Sequence, residues 1–158
     1  MSRTEQQIGA AVASYVGAVT DWDALTQRVS DATYEAWNAH DPDAVAVWFT
    51  DSARVRDSTS DDWEIGPGPV RDRAEMLFRA LPDLTLTRQM LLVDGPRHAD
   101  RWIMEGTHDG ELLGIASTGA RVQLEGATFT TIDDDGLVIE DVHHIDYATL
   151  FRQIGVSD

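Results

Sequence analysis

The sequence predicts an α+β domain in which helices come first and a long, curved, mostly antiparallel sheet follows and wraps around them. Three observations predict it. Apolar residues recur at helical spacing through residues 8–81, alternating stretches of strand length fill residues 84–146, and turn signatures such as Asp94-Gly95 and Asp134-Asp135-Gly136 separate those stretches. Strands this long in one sheet twist and coil, which leaves a concave side for the helices to fill.

Ile8, Val12, Tyr15, Val16 and Val19 lie at helical spacing and predict an extra N-terminal helix, a helical extension over residues 1–20 ahead of a domain over 21–158. Such a helix would cover the sheet or pair subunits. Asp21 to Asn38 reads as the next helix, with Leu25, Val29, Ala32, Ala36 and Trp37 on one side. Asp41-Pro42-Asp43 then supplies an N-cap, a proline at the first helical position and an acid in the first turn, so a short helix is expected through Phe49. Ala53 to Asp57 alternates as a strand. The polar, glycine-rich loop after it carries Trp63 and closes on Gly66-Pro67-Gly68-Pro69, and a loop of this length is expected to guard a pocket. Pro69 opens a helix whose Val70, Ala74, Leu77, Phe78 and Leu81 face inward, and Pro82 stops it. Leu84 to Val93, Ala99 to His108, Arg121 to Ile132 and Leu137 to Asp146 are the expected strands, joined as sequential antiparallel hairpins.

Composition narrows the chemistry. A chain of 158 residues fits one domain, and a formal charge of −16 spread along it opposes binding to phosphate backbones or anionic lipid, so neither nucleic acid nor membrane is an expected partner. There is no cysteine, hence no disulfide, thiolate nucleophile or cysteine-zinc site. All twelve basic residues are arginine, which removes Schiff-base catalysis by lysine. No signal-peptide pattern or membrane-spanning run occurs, and a cytoplasmic location is the simplest expectation. The chain also lacks G-x-S-x-G, H-E-x-x-H and a nucleotide-binding glycine motif. His108, His144 and Asp146 are the only marginal metal-ligand set, and no metal or organic cofactor is expected.

The last strand points to acid/base chemistry. A period of two puts Val138, Val142, His144 and Asp146 on one face, and an apolar face ending His-x-Asp suits a pocket wall. Desolvation there would raise the Asp146 pKa toward the range useful for proton transfer, with His144 orienting it. Asp146 is equally placed to N-cap a helix starting at Tyr147. A β-bulge near the strand end would exchange His143 and His144 between faces. His108 ends a strand carrying Trp102 and Met104 on one face, so it either reaches the same cavity or pins the loop from Gly110 to Gly119. Tyr34, Trp37, Trp48, Asp57, Trp63, Phe78, Trp102 and Phe129 are pocket or core candidates; Tyr34, Trp37, Asp57, Trp63, Trp102, Met104 and Phe129 are the expected substrate contacts. Asp57 also suits a turn role, bonding the backbone of Ser58 and Thr59.

Two segments carry a family resemblance. Gly106-Thr107-His108-Asp109-Gly110-Glu111-Leu112-Leu113-Gly114, continuing to Ser117-Thr118-Gly119, resembles the G-T-H-x-G-E-F-x-G-x-P-P-T-G segment of SnoaL-like polyketide cyclases, with Ser117 in place of a proline. The ending His144-Ile145-Asp146-Tyr147 with Leu150-Phe151-Arg152-Gln153-Ile154-Gly155 is similar to that family's closing strand and helix. The resemblance covers roughly residues 22–156. It implies the nuclear transport factor 2-like cone, an apolar pocket, a small hydrophobic substrate, Asp146 at the acid/base position, and a homodimer formed on the convex sheet face, where Ile139 and Ile145 are candidates. It implies a cofactor-independent cyclase or isomerase that closes rings by intramolecular aldol addition. A limonene epoxide hydrolase-like reading needs an Arg-x-Asp pair, and Arg101 is followed at that spacing by Ile103. A non-catalytic ligand-binding or dimerisation module of the same fold is the third reading.

Overall fold

The computed structural model describes residues 21–156, so the helix expected over residues 1–20 lies outside the described residues. The elements run α1 (Trp22–Asn38), α2 (Pro42–Ala46), β1 (Phe49–Asp57), β2 (Glu64–Ile65), α3 (Pro67–Ala80), β3 (Thr85–Asp94), β4 (Arg97–Thr107), β5 (Arg121–Ile132), β6 (Val138–Ile145) and α4 (Tyr147–Gln153). One open sheet has the order β2-β1-β6-β5-β4-β3. The hairpins from β3 to β6 are antiparallel as expected, whereas β1 joins β6 in parallel, a pairing of remote segments that local patterns do not reveal.

Local chemistry sets the helix ends. The Asp21 side chain accepts from the Ala24 N–H, and that of Asp41 accepts from Asp43 and Ala44, so both helices begin on side-chain caps. The second stops at Ala46, short of the expected Phe49, because Phe49 is already the first residue of β1. Helix α3 starts at Pro67, two residues before the expected Pro69; both prolines fall in its first turn, where no intrahelical N–H is needed. Gly66 precedes it at φ 82°, and a Cβ there would stand 2.9 Å from the Asp51 carbonyl oxygen.

The helices fill the concave side of the sheet. One apolar cluster joins Val29 and Ala36 of α1 to Val55 of β1, Ala74 of α3 and Val138 of β6. A second, at the other end, gathers Leu81, Leu84, Leu112, Leu124 and Leu150. Between them lies the interior face of β4, where His98, Asp100, Trp102, Met104 and Gly106 are buried in alternation. The architecture is the expected α+β, nuclear transport factor 2-like fold.

Two bulges decide which side chains look inward. On β6, Thr131 of β5 faces Glu140 but Ile132 faces Val138, so Ile139 is an extra residue without a partner. The phase of the strand therefore changes after Val138. Asp141, His143 and Ile145 turn to the concave side, and His144 turns to solvent, the reverse of an uninterrupted period of two. Ile145, a candidate for the convex face, thus lies in the interior, while Ile139 remains outward and 39% exposed. A second bulge, between Arg88 and Met90 of β3, sends Met90 and Leu92 outward.

Candidate functional site

The cone holds an open-mouthed cavity between α1, α3 and the concave face of β4, β5 and β6. Its walls are largely apolar, with Val29, Trp37 and Leu77 from the helices, Phe49 from β1, and Trp102 and Met104 from β4. Into this surface the strands place ionisable groups in rows. His98, Thr130 and Asp141 are register partners across β4, β5 and β6, and Asp100, Thr128 and His143 form the next row, so the two acids lie on one diagonal and the two imidazoles on the other.

Asp100 is the most perturbed of the cavity carboxylates. It is 5% exposed, and burial pushes its pKa up to about 6. The hydrogen bond from Tyr34 pulls the other way, and the neighbouring Asp141 charge adds to the rise. The Tyr34 hydroxyl donates to Asp100 Oδ2 at 2.7 Å, while Oδ1 is buried and makes no hydrogen bond within 3.5 Å among the described residues. Burial beside Asp100 raises the Tyr34 pKa, so its hydroxyl keeps its proton. His98, two residues before Asp100 on the same face, has its pKa lowered by burial and a buried Nδ1 without a partner among the described residues. Asp141 is more fully bonded: Thr130 Oγ1 donates to Oδ1 at 2.7 Å, and His143 Nε2 lies 3.3 Å from Oδ2. At the mouth, Asp57 accepts from Tyr147 at 3.1 Å and from both the N–H and the hydroxyl of Thr59 at 2.8 Å, so the turn role and the cavity position coincide in one residue.

Of the expected site residues, Tyr34, Trp37, Asp57, Trp102 and Met104 line this cavity. The others are elsewhere. Asp146 is exposed and N-caps α4, where hydrogen bonds from the hydroxyl and N–H of Thr149 lower its pKa; the expected upward shift is reversed because the strand ends before the residue can turn inward. His144 is exposed and packs edge-to-face on Phe129, itself 53% exposed on the convex side. Trp63 lies under the guanidinium groups of Arg54 and Arg56, 4.0 and 4.9 Å from the ring centre, outside the cavity lining. His108 is fully buried, with Nδ1 2.9 Å from Thr118 Oγ1 and its carbonyl accepting from Thr118 and Gly119: it pins the loop after β4. Trp48 and Phe78 pack against the core. Arg101 is exposed, away from the cavity. His108, His144 and Asp146 do not converge, and among the described residues no group of three metal-ligating side chains is present.

His98, Asp100, Asp141 and His143 were not singled out as a group by the sequence. A signal for half of them exists: the face carrying Trp102 and Met104, followed backward at a period of two, reaches Asp100 and His98. The other half is hidden by the bulge at Ile139.

The arrangement has known relatives. No curated protein matches the chain by sequence. Among solved structures, AclR from Streptomyces galilaeus, a candidate hydroxylase, superposes with a TM-score of 0.77 at 24% identity, covering 86% of this chain and 99% of its own. A candidate SnoaL-like polyketide cyclase from Jannaschia sp. CCS1 gives 0.78 at 20% identity over 88% and 97%. IdmH from Streptomyces antibioticus, a candidate polyketide cyclase, gives 0.66 at 25% identity over 83% and 99%. With the family profile of SnoaL-like polyketide cyclases matching residues 27–154, the chain belongs to that family.

Proposed function

We propose that the protein is an acid/base enzyme acting on a small enolisable ketone or polyketide, closing a ring by intramolecular aldol addition, with Asp100 as the base. The single observation that carries this reading is the Tyr34–Asp100 pair: a buried carboxylate with one oxygen held by a phenol and the other without a hydrogen bond among the described residues, in an apolar cavity. Above its pKa of about 6 Asp100 is ionised and able to accept a proton from carbon next to a carbonyl. The C–H electron pair becomes the enolate, whose oxygen can accept from Nδ1 of neutral His98 in the tautomer that carries the proton there. The enolate carbon then bonds to a second carbonyl carbon, the displaced π pair becomes an alkoxide, and the proton returns from Asp100. No electrons are gained or lost overall. The cavity would hold the folded substrate in a reactive conformer and limit water.

A ligand-binding module would need the cavity but has no use for a carboxylate kept charged against burial, which favours the catalytic reading. The test compares Asp100→Asn with Asp146→Asn on aromatic polyketide ketones and esters. Asp100→Asn should lower turnover by roughly 100-fold or more and Asp146→Asn should leave it near wild type. The opposite outcome would return the acid/base role to the strand end, where the resemblance places it. The acid limb of kcat/KM should lie near the Asp100 pKa, and Asp141→Asn should move it to lower pH by removing a neighbouring negative charge.

We also propose a homodimer formed through the convex sheet face. Leu92, Ala99, Phe129 and Val142 are successive register partners there and make one apolar row, flanked by a row with Asp94, Arg97, Glu140 and Arg54. Both signs of charge in the flanking row let a two-fold related copy pair unlike charges around an apolar centre.

A further inference from the structure

Gly126 occupies the middle of β5, a place where glycine weakens a strand, and its backbone is outside the left-handed region that would require glycine. Space explains it. A Cβ on Gly126 would stand 2.2 Å from two atoms of the Trp102 benzo ring and 2.7 Å from a third. Trp102 is the direct register partner of Gly126, with Ile145 on the other side, so the indole lies down over the glycine on the cavity side of the sheet. Its Nε1–H donates to Thr128 Oγ1 at 2.9 Å, which holds the ring in that position.

We infer that Gly126 determines how large a ring system the cavity admits, by giving the Trp102 indole a seat against the sheet. This rests on the reading of the cavity as the substrate site. Any side chain at position 126 displaces the far edge of the indole, and since the backbone of β5 blocks one direction, the ring moves into the cavity. The atoms in conflict belong to the tip of a side chain, so the indole can swing while the strand keeps its register. The displaced ring takes space in front of Asp100, which follows the same β4 face two residues earlier. Gly126 is therefore a positioning residue acting through Trp102.

The test measures binding by calorimetry of three hydroxylated aromatic probes, phenol, 2-naphthol and 2-hydroxyanthraquinone, to the wild type, Gly126→Ala, and Gly126→Ala combined with Trp102→Phe. A phenyl ring ends short of the benzo edge that meets position 126, so the double variant relieves the conflict and also controls for misfolding. Gly126→Ala should weaken binding of the three-ring probe by roughly tenfold or more relative to its effect on phenol, and the double variant should restore it. Binding by the wild type with the same size range in Gly126→Ala overturns the inference and leaves the proposed function standing. A double variant that folds but stays unable to bind the three-ring probe also overturns it, because the loss then does not pass through the indole. A wild type that binds none of the three probes overturns the inference together with the reading of the cavity as the substrate site.

Discussion

Burial raises the Asp100 pKa from 3.8 to about 6, so the folded chain holds this proton more tightly than the unfolded chain does. The sign follows. Between those two values the folded state binds more protons, and stability falls as pH rises through that window, by about 3 kcal/mol once Asp100 is ionised in both states. Asp100→Asn removes the charge and keeps an oxygen for the Tyr34 hydroxyl. The variant should therefore be more stable than wild type above pH 6 while less active, and the stability difference should shrink toward nothing near pH 3; denaturant titrations at several pH values check it. A difference independent of pH would mean that the carboxylate is not held against burial. This residue was legible in part. Its face was recognised through Trp102 and Met104, but a lone Asp100 in the strand gives no sign of the phenol that meets it, because Tyr34 lies on a helix 66 residues away in sequence.

Strands and helices were legible where each pattern is local. The period of two marked β5 to the residue, and an aspartate followed by proline marked the start of α2. A bulge that exchanges His143 and His144 was an open alternative, but its place at Ile139, near the start of the strand, was not legible, since an extra residue changes the phase without changing composition; with it the inward set changed from His144 and Asp146 to Asp141 and His143. The parallel partnership of β1 and β6 was hidden for a different reason: it depends on how the whole sheet closes. Asp146 shows how one residue type serves two elements. Its carboxylate ends the strand and starts α4 by accepting from Thr149. Asp146→Ala should lower Tm, whereas Asp146→Asn, which retains a capping oxygen, should change it little, and thermal melts of the two variants separate the cap from the charge.

At the scale of the whole molecule, a formal charge of −16 opposes bringing two copies together. The proposed dimer should therefore tighten as salt screens that repulsion, and light scattering across ionic strength tests this. Phe129→Glu, in the centre of the apolar row, should give monomers whose cavity still binds ligand. Weakening of the dimer with added salt would point to an interface held by charge pairs instead of the apolar row.

The parallel pair β1–β6 has a consequence in time. Its register joins residues 49–57 to residues 138–143, so β1, paired with β2 on one side, has no partner on its other side until residue 143 has been synthesised. The hairpins from β3 to β6 join strands that follow one another in sequence, whereas docking β1 on β6 closes a far longer loop, the slow kind of step in chains rich in remote contacts. A nascent chain lacking β6 leaves β1 and β5 apart, and the cavity takes shape only when that segment arrives to stitch the two together.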